Sequence, residues 1–311
     1  MICIKTNMKI YVAALRYGML ILLGLPLLFG CQRNEELGPV ANANSASKIR
    51  EVFSSGRDAA SGGAATAASG TGWATLKGRF VYDGTPPEMQ AYDVKGDDQA
   101  TCSRGGKAPL QETLLVDSST KGIANVVIFI RKASRVHESA QPNDEKVTFD
   151  QKECVFLSHV TAMTVGQTLS IMNSDPVGHN TKIDGRKNKF NQSVPAGGTL
   201  PFKPQKEEAM PVDVACSIHP WMKSYLLPRE NGYFAVTGKD GSFEIANVPA
   251  GEVLEFQVWH ESSSSSAGGL VLTSPEAKEL KWSKKGRFKI QLTENEEKEL
   301  NITVPASALG G

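Results

Sequence analysis

Beyond residue 72, apolar positions recur with a period of two rather than 3.6. Leu76-Lys77-Gly78-Arg79-Phe80-Val81-Tyr82 alternates and stops at the turn pair Asp83-Gly84. Ala124-Asn125-Val126-Val127-Ile128-Phe129-Ile130 ends in an unbroken apolar run, the pattern of a central strand. Val160, Ala162 and Thr164, then Leu169, Ile171 and Asn173, alternate around Val165-Gly166-Gln167. Val212, Val214 and Cys216 fall on one face. Tyr233 to Val236, Ser242 to Ile245, Val253 to Trp259, Arg287 to Leu292 and Glu299 to Val304 also read as strands, and Asp240-Gly241 signals a hairpin. No segment carries a long amphipathic helix. Short strands joined by turns predict an all-β fold, a sandwich or barrel. The 29 Gly and 16 Pro agree with many turns.

The first 72 residues follow other rules. Lys5, Lys9 and Arg16 precede an uncharged, mostly apolar stretch, Tyr17 to Phe29, which is short for a membrane span. Leu28-Phe29-Gly30-Cys31 closes it. This is the grammar of an export signal. The Cys directly after a small residue resembles a bacterial lipoprotein signal, which implies a lipidated Cys31 and removal of the residues before it; the alternative is an uncleaved single-span anchor. Gln32 is not the Asp that often marks inner-membrane retention, so the resemblance points to a periplasmic or surface protein on the outer membrane. Residues 32–72 read as a tether. Ala59 to Gly72 is almost wholly Ala, Gly, Ser and Thr, which buries too little apolar surface to offset chain entropy.

Net charge is +1 with both signs interspersed. There is no basic block, so no nucleic-acid partner is expected.

Candidate chemistry concentrates in two short segments. One is Asn173-Ser174-Asp175-Pro176-Val177-Gly178-His179-Asn180; the other is Cys216-Ser217-Ile218-His219-Pro220-Trp221-Met222. His179, Cys216, His219 and Met222 supply two imidazoles, a thiolate and a thioether. That set suits one copper ion that shuttles single electrons, with a trigonal His₂Cys plane and a weak axial Met. Asn180 is placed to hydrogen-bond the Cys loop, and Trp221 to shield the metal. Taken singly, each residue has a plainer reading: Cys216 as a small buried hydrophobe, Met222 and Trp221 as core, His179 as a surface loop residue. Zinc also accepts a Cys and two His with an open position. His159 reads as structural, His260 as a surface residue without a partner, and His137 as part of a polar loop.

Five cysteines are present. Cys3 leaves with the signal, and Cys31 is the lipid site. In an oxidising compartment spare thiols pair. With Cys216 kept for the metal, the remaining partition is a Cys102–Cys154 disulfide.

Two resemblances extend this picture. Gly78 to Pro86, Ile123 to Ile128, and Asp240-Gly241-Ser242-Phe243-Glu244-Ile245-Ala246-Asn247-Val248-Pro249-Ala250-Gly251 resemble a carboxypeptidase-regulatory-like β-sandwich, a non-catalytic scaffold. The segment between, about Val147 to Leu227, resembles a cupredoxin. That resemblance implies a Greek-key sandwich with type 1 copper at His179, Cys216, His219 and Met222. Only Pro220 and Trp221 separate His219 from Met222, a shorter spacing than in cupredoxins such as plastocyanin. The whole chain is similar to exported bacterial proteins labelled methylamine-utilisation-like.

The expected organisation is therefore a signal and lipidated Cys (1–31), a tether (32–72), a first part of the regulatory-like sandwich (73–146), a cupredoxin-like domain (147–227) inserted in or packed beside it, and a second part of that sandwich (228–306). The expected function is a membrane-tethered blue-copper electron carrier, not an enzyme. Its expected partner is a redox protein such as a cytochrome or an exported dehydrogenase. The alternative is a structural or binding surface lipoprotein whose site holds copper, holds zinc or is vestigial. A copper reductase needs a second copper centre with further His ligands, and no such cluster is present in the sequence.

Overall fold

Two β-sandwiches account for nearly all regular structure in the computed structural model, which describes residues 71–310 apart from 104–105 and 266–267. The expected signal, the lipid site Cys31 and all but the end of the tether lie outside the described residues. Among the described residues, no helix is long and apolar enough to cross a membrane.

The chain opens a terminal sandwich with β1 (Trp73–Asp83). A long connection carrying the short helix α1 (Gln99–Cys102) leads to β2 (Val127–Ile130). Next come β3 (Lys146–Lys152), β4 (Val155–Phe156), β5 (Val160–Thr164), β6 (Thr168–Asn173), β7 (His179–Asp184), β8 (Lys189–Val194), β9 (Thr199–Phe202), β10 (Val212–Ala215) and β11 (Lys223–Arg229). These build an inserted sandwich, with sheets in the order β4-β3-β6-β9 and β5-β11-β10-β7-β8. The chain then returns to the terminal sandwich with β12 (Phe234–Val236), β13 (Ser242–Pro249), β14 (Val253–Trp259), helix α2 (Pro275–Glu279), β15 (Arg287–Gln291) and β16 (Glu297–Pro305). Its sheets run β13-β1-β16 and β12-β2-β14-β15.

Alternation explains the terminal sandwich. In β1, Ala74, Leu76, Phe80 and Tyr82 face inward while their neighbours are partly exposed. β1 pairs parallel with β16 and antiparallel with β13. A Cβ on Gly78 would lie 1.9 Å from the Leu300 carbonyl oxygen, so the approach of β16 needs glycine there. The Asp240-Gly241 turn does form, with Gly241 at φ +79°, but it is not a hairpin. β12 pairs with β2 and β13 pairs with β1, so this turn carries the chain from one sheet to the other.

The apolar run at β2 has a different origin. All four of its residues are buried. Ile128 and Ile130 enter the terminal core, whereas Val127 and Phe129 pack with Trp259, Val160 and Leu227 between the sandwiches. A strand buried on both faces loses its alternation.

Arg229 ties the same junction. Its guanidinium donates to the carbonyls of Ile130, Arg131 and Glu208, lies 3.1 Å from the Glu207 carboxylate, and covers the Phe129 ring at 4.6 Å. The residue is 5% exposed. Arg229→Ala strands these acceptors in a dry junction, so a loss of ~3 kcal/mol is expected. Chemical denaturation checks this, with the exposed Lys289→Ala as a near-neutral control.

Candidate metal centre

Cys216 immediately follows β10, and the chain reverses over Ser217 to Met222 before entering β11. Two backbone bonds close that reversal: Met222 N–H donates to His219 O (2.9 Å) and Cys216 N–H donates to Met222 O (3.2 Å). Pro220 lies within the reversal, where a fixed φ and a missing donor are tolerated. His179 is the first residue of β7, which pairs with β10. The Asp175-Pro176-Val177-Gly178 run before it predicts a loop at His179; the structure starts the strand there. The pairing brings both segments to one end of the inserted sandwich.

His179 Nδ1 and His219 Nδ1 face each other at 2.9 Å, and Cys216 Sγ lies 3.9 Å from His219 Nδ1. The three donor atoms all lie within 4.8 Å of one another, and all three residues are buried. Asp175 and His179 also approach Cys154, but that sulfur is already bonded to Cys102, with the Cα atoms 5.3 Å apart. The expected disulfide is present, and Cys216 is the free thiol among the described residues.

The surroundings fix these donors. Cys216 Sγ accepts from the backbone amides of Asn180 (3.3 Å) and His219 (3.4 Å). The Asn180 side chain accepts from Ser217 N–H (3.2 Å) and donates to Asn191 (3.0 Å), tying the β7 edge to the Cys216 loop. Trp221 packs on His219 with ring centroids 5.0 Å apart, and its Nε1–H donates to Cys154 O (3.0 Å). Met222 is buried in the apolar cluster that holds Cys216 and Trp221.

Two carboxylates complete the centre. His179 Nε2–H donates to Asp175 Oδ2 (2.7 Å), and His219 Nε2–H donates to Asp98 Oδ2 (3.1 Å). Each bond holds a tautomer that leaves Nδ1 turned inward. Asp175 is held in turn by the amides of Glu153 (2.6 Å) and Cys154 (2.8 Å). Those two residues form the tight β3–β4 turn, both with positive φ (59° and 55°), which aims successive amides at one carboxylate. Asp175 stands four residues before His179 in a segment already singled out, yet its role was not read from the sequence. Asp98 gave no local signal at all.

The electrostatics form a relay. Burial pushes Asp175 up, but the His179 bond and the two amides outweigh it and hold the carboxyl below its usual range. Burial pushes His179 down, but Asp175 and the Cys216 sulfur outweigh it and hold the imidazolium up to about 9. Burial also pushes the Cys216 thiol up, yet His179 and the loop amides bring it below the usual thiol range. His219 is lowered, first by burial and then by the charge on His179, against the pull of Asp98. The metal-free centre thus pairs an aspartate with a cationic His179, beside a Cys216 thiol and a His219 imidazole that both lose their protons more readily than usual. A proton held between inward nitrogens is what a cation displaces. Two imidazoles and a thiolate, buried and with fixed tautomers, fit a borderline or soft metal ion.

The other histidines are engaged elsewhere. His159 is buried against the Glu261 carboxylate, with Tyr225 OH donating to the other Glu261 oxygen (3.1 Å). His260 is not the surface residue expected: it is 1% exposed, its Nε2–H donates to Ala124 O (3.3 Å), and its Nδ1 accepts from Ser262 N–H (3.2 Å). His137 caps a short 3₁₀ turn by accepting from Ser139 N–H (3.1 Å).

No family model matches the chain, and no curated protein matches it. Among solved structures it is similar to a copper-containing nitrite reductase from Thermus scotoductus SA-01, with 20% identity and a TM-score of 0.26. That match covers 29% of this chain and 23% of the reductase, well under two thirds of its length. It is also similar to amicyanin from Paracoccus versutus, with 16% identity over 33% of this chain and 97% of that one, at a TM-score of 0.25. A purple cupredoxin from Nitrosopumilus maritimus matches with 20% identity over 27% of this chain and 99% of that one, at a TM-score of 0.23.

In the metal-free protein, the His179 imidazole resonances should titrate near pH 9, and Asp175→Asn should lower that value by about a unit or more. NMR titration checks both. Metal uptake must expel this proton, so affinity should rise with pH up to about 9 and then level off. Calorimetry in buffers of different ionisation enthalpy counts the proton released.

Proposed function

We propose that this chain binds one copper ion through His179, Cys216 and His219, with the Met222 thioether as a weak further donor, and passes single electrons. The observation that carries the reading is the convergence of two inward Nδ1 atoms and the Cys216 sulfur in a buried pocket, each imidazole held from behind by a carboxylate. Copper supplies the one-electron couple. The thiolate and thioether suit its reduced form, and imidazole suits both. The protein's part is to hold the donors still. Strand pairing, the Asn180 bonds and the closed Cys216–Met222 reversal restrict their movement, which keeps reorganisation small.

We read the protein as a carrier rather than an enzyme. A reductase needs a second centre, and His137, His159 and His260 are spent on capping, a carboxylate pair and a backbone bond. The export signal and lipidation at Cys31 belong to the same proposal. On this reading the protein sits on the periplasmic or surface side of a membrane, and its partner is a redox protein such as a cytochrome or exported dehydrogenase rather than a nucleic acid. The terminal sandwich, with its regulatory-like resemblance, serves as scaffold.

One observation favours a second reading. Carboxylates behind both imidazoles raise ligand basicity, as in zinc sites. A zinc-holding surface lipoprotein is the competing account.

The test is addition of Cu(II) to metal-free protein, followed by visible absorption and electron paramagnetic resonance. An intense thiolate-to-copper band at one equivalent, bleached by reductant and absent in Cys216→Ser, is expected. Tight zinc uptake without such a copper band would replace the carrier reading with the zinc one.

A further inference from the structure

The connection between β1 and β2 belongs by chain order to the terminal sandwich, yet it packs on the inserted one. Val94 and Cys102 are buried in the inserted core, with Tyr92 and Ala108 against it. Tyr92 N–H donates to Pro109 O (2.8 Å) and Gln111 N–H to Gln90 O (2.8 Å), closing the base of the excursion. At its far end Asp98 reaches His219 Nε2. The Asp98 side chain is 35% exposed, while His219 beneath it is 3% exposed.

Nothing within α1 accounts for this placement. The helix has four residues, and the Asp98 side chain caps none of its amides. The fixed point is Cys102 at the other end of α1, bonded to Cys154. Cys154 N–H in turn donates to Asp175, which holds His179. One covalent bond therefore joins the two segments that place a carboxylate behind each imidazole.

We propose that residues 84–103 form a lid locked by the Cys102–Cys154 disulfide, and that Asp98 on this lid is a positioning residue for His219. The proposal rests on the reading of His219 as a metal ligand. The lid shields the outer edge of the ring from solvent. Asp98 holds the tautomer that turns Nδ1 inward and adds a negative charge behind the ring. A charge in that position favours the more oxidised state of a bound ion, so it holds the reduction potential down.

The first test uses the metal-free full chain. His219 is modified with diethyl pyrocarbonate in wild type, Asp98→Ala, Asp98→Asn and Cys102→Ser/Cys154→Ser. The modification is followed by mass spectrometry, with His137 as the internal reference and circular dichroism as the check on folding. Asp98→Ala and the double serine variant should raise the His219 rate about tenfold, the factor expected from losing a charge-assisted hydrogen bond. Asp98→Asn should fall between. A wild-type rate in folded Asp98→Ala would overturn the lid. A wild-type rate in the folded double variant, beside a fast Asp98→Ala, would overturn the part given to the disulfide. Asp98→Ala changes a partly exposed side chain, so the lid stays testable even if the double variant does not fold.

The second test is the potential of copper-loaded protein. Asp98→Ala and Asp98→Asn should both shift it to more positive values, and an unchanged potential in both would overturn the positioning role. Failure to bind copper would end the carrier reading while leaving the metal-free test of the lid intact.

Discussion

A thiolate and two imidazoles can share a dry pocket only when each charge and each ring nitrogen has a partner. Cys216 meets this with two backbone amides and the His179 cation; His179 meets it with Asp175, and His219 with Asp98. Asp175 is itself buried and passes the demand outward, to the Glu153 and Cys154 amides. The left-handed β3–β4 turn and the Asn180 bridge follow from the same need.

This demand also explains why the two sandwiches are interlocked rather than merely consecutive. The inserted sandwich supplies all three donor atoms, but the Asp98 carboxylate arrives on a connection between strands of the terminal one. β2 is buried on both faces, and Arg229 donates across the junction to its last carbonyl and the next. A centre held from both sandwiches has little room to relax when its charge changes.

Much of the fold was legible because its strands obey simple alternation. β1, β6, β16 and the first half of β13 carry the alternation that their burial displays, whereas β5 and most of β14 are buried on both faces. β3, β7, β8 and β11 were not read: they are mixed polar strands whose burial depends on neighbours far away in sequence. The β3–β4 turn was missed because Glu153-Cys154 lacks the Asn-Gly or Asp-Gly that usually supplies two positive φ angles. Asp240-Gly241 was read as a hairpin because a turn pair announces a reversal, not which sheets it joins.

The sequence by itself determined the all-β class, the donor types His179, Cys216 and His219, and the Cys102–Cys154 partition, since these depend on local pattern and residue chemistry. Tertiary structure alone decided that Asp175 and Asp98 stand behind the two imidazoles, and that His260 is buried. It also decided that the β1–β2 connection crosses to the other sandwich. The reason is physical: a carboxylate looks the same in any exposed stretch of sequence, and only the folded chain, bringing residues 98 and 219 to 3.1 Å, reveals what it holds.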